Sequence, residues 1–144
     1  MAEIERIMYK KRPRKKRKDR APNRRALERE LWRIFSLYIR KRDGRCMMGD
    51  MFGGCSGPLQ AGHIISRRKL PTKYDELNVH GQCASHNWQH NRNPERYTVW
   101  FIRNHGESVY WLMVQRSMVF TKVLTIPQLQ EKIKEYTLKL GAVR

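Results

Sequence analysis

Three cysteines and one histidine, Cys46, Cys55, Cys83 and His86, lie in the part of the chain least able to hold itself together. Gly49, Gly53, Gly54, Gly57 and Pro58 crowd the segment around the first two cysteines, and Ser66 to Leu77, interrupted by Pro71, is too polar and broken for a regular element. Two short apolar runs cannot build a core there, so the region needs a cross-link. These are all the cysteines of the chain, and their odd number makes metal a better expectation than a disulfide framework. Cys83-x-x-His86 has the spacing of two zinc ligands at a turn entering a helix, whereas the Cys46 to Cys55 half is looser and relies on its glycines to fold back. The expectation is a structural zinc; the alternative is buried thiols beside a surface histidine. Four protein ligands leave zinc no open position, so any chemistry must use other nearby groups: His63, Asn78, His80, Asn87, His90 or Asn91.

Around this region the periodicity is helical. Asn23 can cap a helix whose Leu27, Leu31, Ile34, Phe35, Tyr38 and Ile39 form one stripe, with Gly44 as the stop. "LQAGHII" and "NVHGQC" read as two short strands, and "SHNWQHN" as a helix with Ser85 as its cap. Asn93 and Pro94 suit another helix start, Tyr97, Trp100 and Phe101 its inner side, and Gly106 its end. "ESVYWLMVQRS" reads as a further helix, and Thr125, Pro127 and Gln128 open a last one carrying Leu129, Ile133, Tyr136 and Leu140.

Charge narrows the partner. The 144 residues carry a net charge of +18, which favours a polyanion and makes nucleic acid the first candidate. Residues 1–25 hold twelve basic and three acidic side chains, half of that excess. Residues 1–22 have too few apolar groups to offset ordering entropy and read as a disordered basic arm, with Lys15, Lys16 and Arg17 on phosphates. A solubilising or targeting tail is the alternative. No apolar stretch approaches the ~20 residues of a membrane span, and no apolar signal-peptide core opens the chain, so an intracellular, non-secreted protein is expected.

The spacing "AGHIISRR" followed by "DELNVHGQCASHN" resembles that of the HNH, or ββα-metal, nucleases. The wider string "YIRKRDGRC...LQAGHIISRRKLPTKYDELNVHGQCASHN...NPERY", over about residues 31–105, resembles the phage NinG/Rap recombination endonucleases, which act on Holliday junctions and related branched DNA. The resemblance implies an α+β fold: a small ββα-metal core with a zinc knuckle, flanked by an N-terminal helix and C-terminal helices. The domain would span residues 23–144, with the motif at about 45–92 and the C-terminal helices at 93–141.

Carried over by position, His63 would be the general base, Asn78 would brace the loop and that histidine, and Asn87 would bind a catalytic Mg²⁺ or Mn²⁺. Cys46, Cys55, Cys83 and His86 would hold zinc, although Gly49 stands where the first cysteine pair of the family closes, so Cys55 must substitute. Two further departures concern the catalytic cation: Gly62 replaces the Asp that many HNH enzymes carry before the histidine, and Gln60 replaces the Asp of the Asp-x-Gly-His variants. Arg67, Arg68, Lys69, Arg92 and Arg96 would clamp phosphates flanking the cut. His80 would support the site from behind, and His90 could touch metal or phosphate. The implied protein is a homodimeric resolvase of branched DNA in the cytoplasm of an infected bacterium, working among phage recombination proteins and using its C-terminal helix as the candidate dimer surface. An HNH nicking or packaging-associated endonuclease on duplex DNA, and a non-catalytic zinc-knuckle DNA-binding protein, are the alternatives.

Overall fold

The computed structural model describes residues 23–143; the expected basic arm, with Lys15, Lys16 and Arg17, lies outside them. The described residues form a mixed α+β domain of six α-helices and one two-stranded antiparallel sheet. Helix α1, Arg24–Asp43, starts where Asn23 accepts a hydrogen bond from the Arg25 amide and stops at Gly44, whose φ of 65° suits glycine. The glycine-rich loop contains a short helix, α2, Gly49–Phe52, that its composition conceals. Strands β1, Leu59–His63, and β2, Val79–Cys83, pair in a register that sets Gly62 opposite His80 and Gln60 opposite Gln82. Between them runs an irregular loop with one 3₁₀ turn at Leu70–Thr72.

Helix α3, Ala84–His90, follows β2 without a linker. Its cap is Cys83, whose sulfur accepts from the His86 amide, rather than the expected Ser85: the strand runs directly into the helix, which begins before the hydroxyl can cap it. Helices α4, Glu95–His105, α5, Glu107–Met118, and α6, Ile126–Ala142, complete the chain. Thr125 and Gln128 close the capping box that opens α6.

Two apolar clusters hold these elements. In the first, the stripe of α1, including Leu31, Phe35 and Ile39, packs on Leu129 and Tyr136 of α6 and on Val79 of β2. The Phe35 ring meets Tyr136 edge-on, with centroids 4.8 Å apart. The α6 face that carries Leu129 and Tyr136 is thus buried against α1. The second cluster joins Met48, Ile64, Tyr97, Trp100, Phe101 and Met113, so α4 and α5 close over the sheet from the other side.

Polar groups fix the end of α1 to β2. Arg42 donates to the carbonyls of Glu76 and Val79, each at 3.0 Å, and pairs with Asp43, which accepts from the Gly81 amide at 2.6 Å. Among the described residues no helix is long and apolar enough to cross a membrane. Since Phe35 is wholly buried at the junction of α1 and α6, Phe35→Ala should destabilise the fold by about 3–5 kcal/mol, read as a lower denaturant midpoint with an unchanged slope.

Candidate functional site

The cysteines and His86 converge. Their ligand atoms lie within 4.8 Å of one another. His86 Nδ1 is 3.3 Å from Cys46 Sγ, 3.7 Å from Cys55 Sγ and 3.2 Å from Cys83 Sγ. A tetrahedral zinc, with bonds of about 2.3 Å to sulfur and about 2.0 Å to nitrogen, separates such atoms by ~3.5 Å. The Cys₃His set therefore fits a structural metal such as zinc in both donor type and size.

Gly49 explains the loose half of the motif. A Cβ added there would fall 2.8 Å from Cys55 Sγ, so the Cys55 sulfur occupies the space that a side chain at position 49 would fill. The turn of α2 brings Cys55 back, and the amides of Ala84 and Ser85 donate to the Pro58 and Ser56 carbonyls, tying the loop to α3. Burial pushes the Cys83 thiol up, but the His86 and Ser56 backbone amides and the neighbouring cysteines outweigh it and hold the pKa below its ordinary value.

Away from the cysteine cluster, α3 borders a cleft of about 490 Å³, lined by Trp32, Gly62, His63, Arg67, Arg68 and Asn87, with His90 and Asn91 also contributing. His63 ends β1, and its Nε2 is 2.8 Å from the Lys73 carbonyl oxygen. A carbonyl only accepts, so Nε2 carries the proton and Nδ1 keeps the lone pair. The imidazole stacks on Trp32, with centroids 5.3 Å apart and planes at 20°. Burial lowers the His63 pKa; the Lys73 carbonyl opposes that shift, while the Arg67 and Lys73 charges add to it.

Asn78 is fully buried and ties the loop together. It accepts from the Ile65 amide at 2.7 Å and donates to the carbonyls of Ile65 and Thr72 at 3.0 and 2.9 Å. Its effect on His63 runs through the backbone, since the side chains are not bonded to each other. Asn87 donates from Nδ2 to Gln60 Oε1 at 2.8 Å, which leaves Oδ1 directed toward Gly62.

His80 sits behind the cleft. Its Nδ1 is 3.0 Å from Tyr97 Oη, which donates to the Gly62 carbonyl at 3.1 Å, so His80 supports the residue beside His63 through a buried tyrosine. Burial, reinforced by the Arg42 charge, depresses its pKa to about 3 and keeps it neutral. His90, packed edge-on against Tyr97, is also held below its ordinary pKa, chiefly by burial.

Of the expected phosphate contacts, Arg67 and Arg68 reach the cleft, whereas Lys69, Arg92 and Arg96 do not line it. Arg92 stacks on Trp88 at 4.0 Å, and Arg96 lies over Phe52 at 4.8 Å with a hydrogen bond to Gln89, each engaged on another face. Three contributors escaped the sequence reading. Arg25, Arg29 and Trp32 of α1 line a second depression that Arg67 and Arg68 share, which extends the cleft into a basic groove with one acidic side chain, Glu28, in its lining. The spacing of four and three residues puts Arg25, Arg29 and Trp32 on one helical face, a pattern visible in the chain but masked by the abundance of arginine.

A family model, Bacteriophage Lambda NinG protein, matches residues 3–144. The chain belongs to the NinG family. No curated protein and no solved structure matches it. Membership carries a phage recombination-related role and makes DNA the expected partner, in keeping with a NinG chain of net charge +18.

The metal reading of this NinG chain makes a direct prediction. Purified protein should contain a single zinc equivalent by elemental analysis, and Cys83→Ser should lose it and expose the loop around α2 to limited proteolysis. Absence of zinc from the parent protein, with equal loop protection in Cys83→Ser, would show the cluster to be ordinary thiols beside a histidine.

Proposed function

We propose that this protein is a divalent-metal-dependent endonuclease that cuts Holliday junctions and other branched DNA during phage recombination, with β1, β2 and α3 as an HNH, or ββα-metal, core. One observation carries the reading: the Lys73 carbonyl holds the proton of His63 on Nε2, leaving Nδ1 with its lone pair on a residue that lines a cleft together with Asn87 and two arginines. Phosphodiester hydrolysis needs a base for water, charge neutralisation on phosphate and stabilisation of the leaving oxygen. Asn87 Oδ1 is a hard oxygen donor of the type Mg²⁺ or Mn²⁺ accepts, and such an ion would neutralise phosphate charge and stabilise the departing 3′ oxygen.

His63 takes the proton from water as its oxygen bonds to phosphorus and the P–O3′ bond breaks; the departing 3′ oxygen takes a proton from solvent water, giving 5′-phosphate and 3′-hydroxyl ends. Burial keeps His63 neutral and ready for that task near pH 7. Arg67 and Arg68, continued by Arg25 and Arg29, hold flanking phosphates and favour recognition of DNA shape over bases. Residues 23–144 act as the nuclease domain and the basic arm adds phosphate contacts. Two symmetric cuts across a junction call for two copies of the site, hence a homodimer. The setting is the cytoplasm of the infected host, among phage recombination proteins.

A second reading is a silent zinc-knuckle DNA-binding protein, favoured by the lack of any carboxylate among the described residues lining the cleft. A labelled four-way junction and the matching linear duplex, each with Mg²⁺ or chelator, separate the two. Paired cuts confined to the junction are expected, and His63→Ala should slow them by roughly 10²–10⁴-fold with zinc content and junction affinity retained. Binding without cleavage under every metal tried would establish the silent reading, and equal cutting of duplex would favour a nicking or packaging-associated enzyme.

The pH profile gives an independent check. A base must be deprotonated, and the His63 pKa is lowered from 6.5, so cleavage should fall on acidification only below that value. An acid limb above pH 6.5 would assign the base to another group.

A further inference from the structure

Beneath the cleft lies a side chain that the mechanism above does not use. Gln82 on β2 is fully buried, and neither its Nε2 nor its Oε1 has a hydrogen-bond partner among the described residues. A buried carboxamide without partners is unfavourable enough to require explanation. Its surroundings supply one. A side chain on Gly62 would begin 2.5 Å from Gln82 Oε1 and 2.7 Å from Asn87 Oδ1, so two carbonyl-type oxygens crowd the same glycine. Asn87 is held in this orientation by its Nδ2 bond to Gln60. Two such oxygens approaching one point without a donor between them are mutually unfavourable, and a hard cation relieves that repulsion.

We infer that Gln82 presents a second protein oxygen to the divalent cation held by Asn87, from the strand beside β1 and across the gap left by Gly62. The inference rests on the nuclease reading above. It accounts for Gly62 sterically, since any side chain there would displace the Gln82 amide. It also makes both protein ligands neutral, so the ion binds weakly until a DNA phosphate joins the shell.

Mn²⁺ titration followed by electron paramagnetic resonance tests this on the full, zinc-loaded chain, with and without a phosphorothioate junction that resists cleavage. Gln82→Glu, which adds a charge at nearly constant size, should tighten Mn²⁺ binding about 10-fold, and Gln82→Leu should weaken it about 10-fold, with zinc content unchanged. The glutamate variant should also gain more thermal stability from Mn²⁺ than the parent. If the Gln82→Leu variant does not fold, the glutamate variant and its Mn²⁺-dependent melting decide.

Unchanged Mn²⁺ affinity in both Gln82 variants, with loss in Asn87→Ala, would overturn this inference and leave the nuclease reading intact. Failure of the parent protein to bind Mn²⁺ even on the junction would remove the cation, and with it both readings.

Discussion

The convergence of Cys46, Cys55, Cys83 and His86 on one point is the constraint on which the remaining structure depends. In the loop from Gly44 to Pro58 only Met48 is a buried apolar residue, so hydrophobic burial alone gives that loop little reason to lie against α3. A metal held by these four ligands would supply the missing free energy, and would do so at one point. The placement of that point matters: His86 and Asn87 are consecutive in α3 and project about 100° apart. Pinning His86 to the cluster therefore sets the rotation of the helix that directs Asn87 toward Gly62.

Helix α1 carries a comparable share. Its stripe builds the first core with α6, its last turn clamps β2 through Arg42 and Asp43, and its early turns bring Trp32 against His63 and Arg25 and Arg29 into the groove. The imidazole is thus fixed by three elements: β1 supplies the backbone, Trp32 the plane of the ring, and the Lys73 carbonyl the tautomer. Asn78 contributes by holding the Thr72 carbonyl, one residue before Lys73 in the same loop. Preorganisation of this kind needs no side-chain contact between Asn78 and His63.

Much of this was legible in the chain because local chemistry and tertiary structure agree. The α1 stripe, the Asn23 cap, the Gly44 stop, the Thr125–Gln128 box and the Cys83-x-x-His86 turn each announce themselves by spacing, and each is realised. What stayed hidden depends on partners distant in sequence. Composition argues against a helix at Gly49–Phe52, yet that turn is what returns Cys55 to the cluster. Lys69, Arg92 and Arg96 are near the motif in sequence but lie outside the cleft, while Arg25 and Arg29 are far in sequence and adjacent in space. Gln82 could not be singled out at all, because a glutamine in a short strand looks ordinary until its amide is found without partners.

The electrostatics of the cleft impose an order on its ligands. Arg67 and Arg68 line it, Arg25 and Arg29 extend it, and no acidic side chain is among the described residues lining the cleft itself, Glu28 belonging to the outer depression. A field of that sign attracts phosphate from a distance and repels a free divalent cation. The charge of Arg67, added to burial, disfavours the imidazolium form of His63. On the proposed nuclease reading, one distribution of charge would draw the backbone in, keep the base neutral and withhold the metal until the phosphate reverses the local potential. The presence of neutral Gly62 and Gln60 where acidic residues would be expected is then consistent with catalysis, provided the nucleic acid itself supplies the anionic part of the metal site.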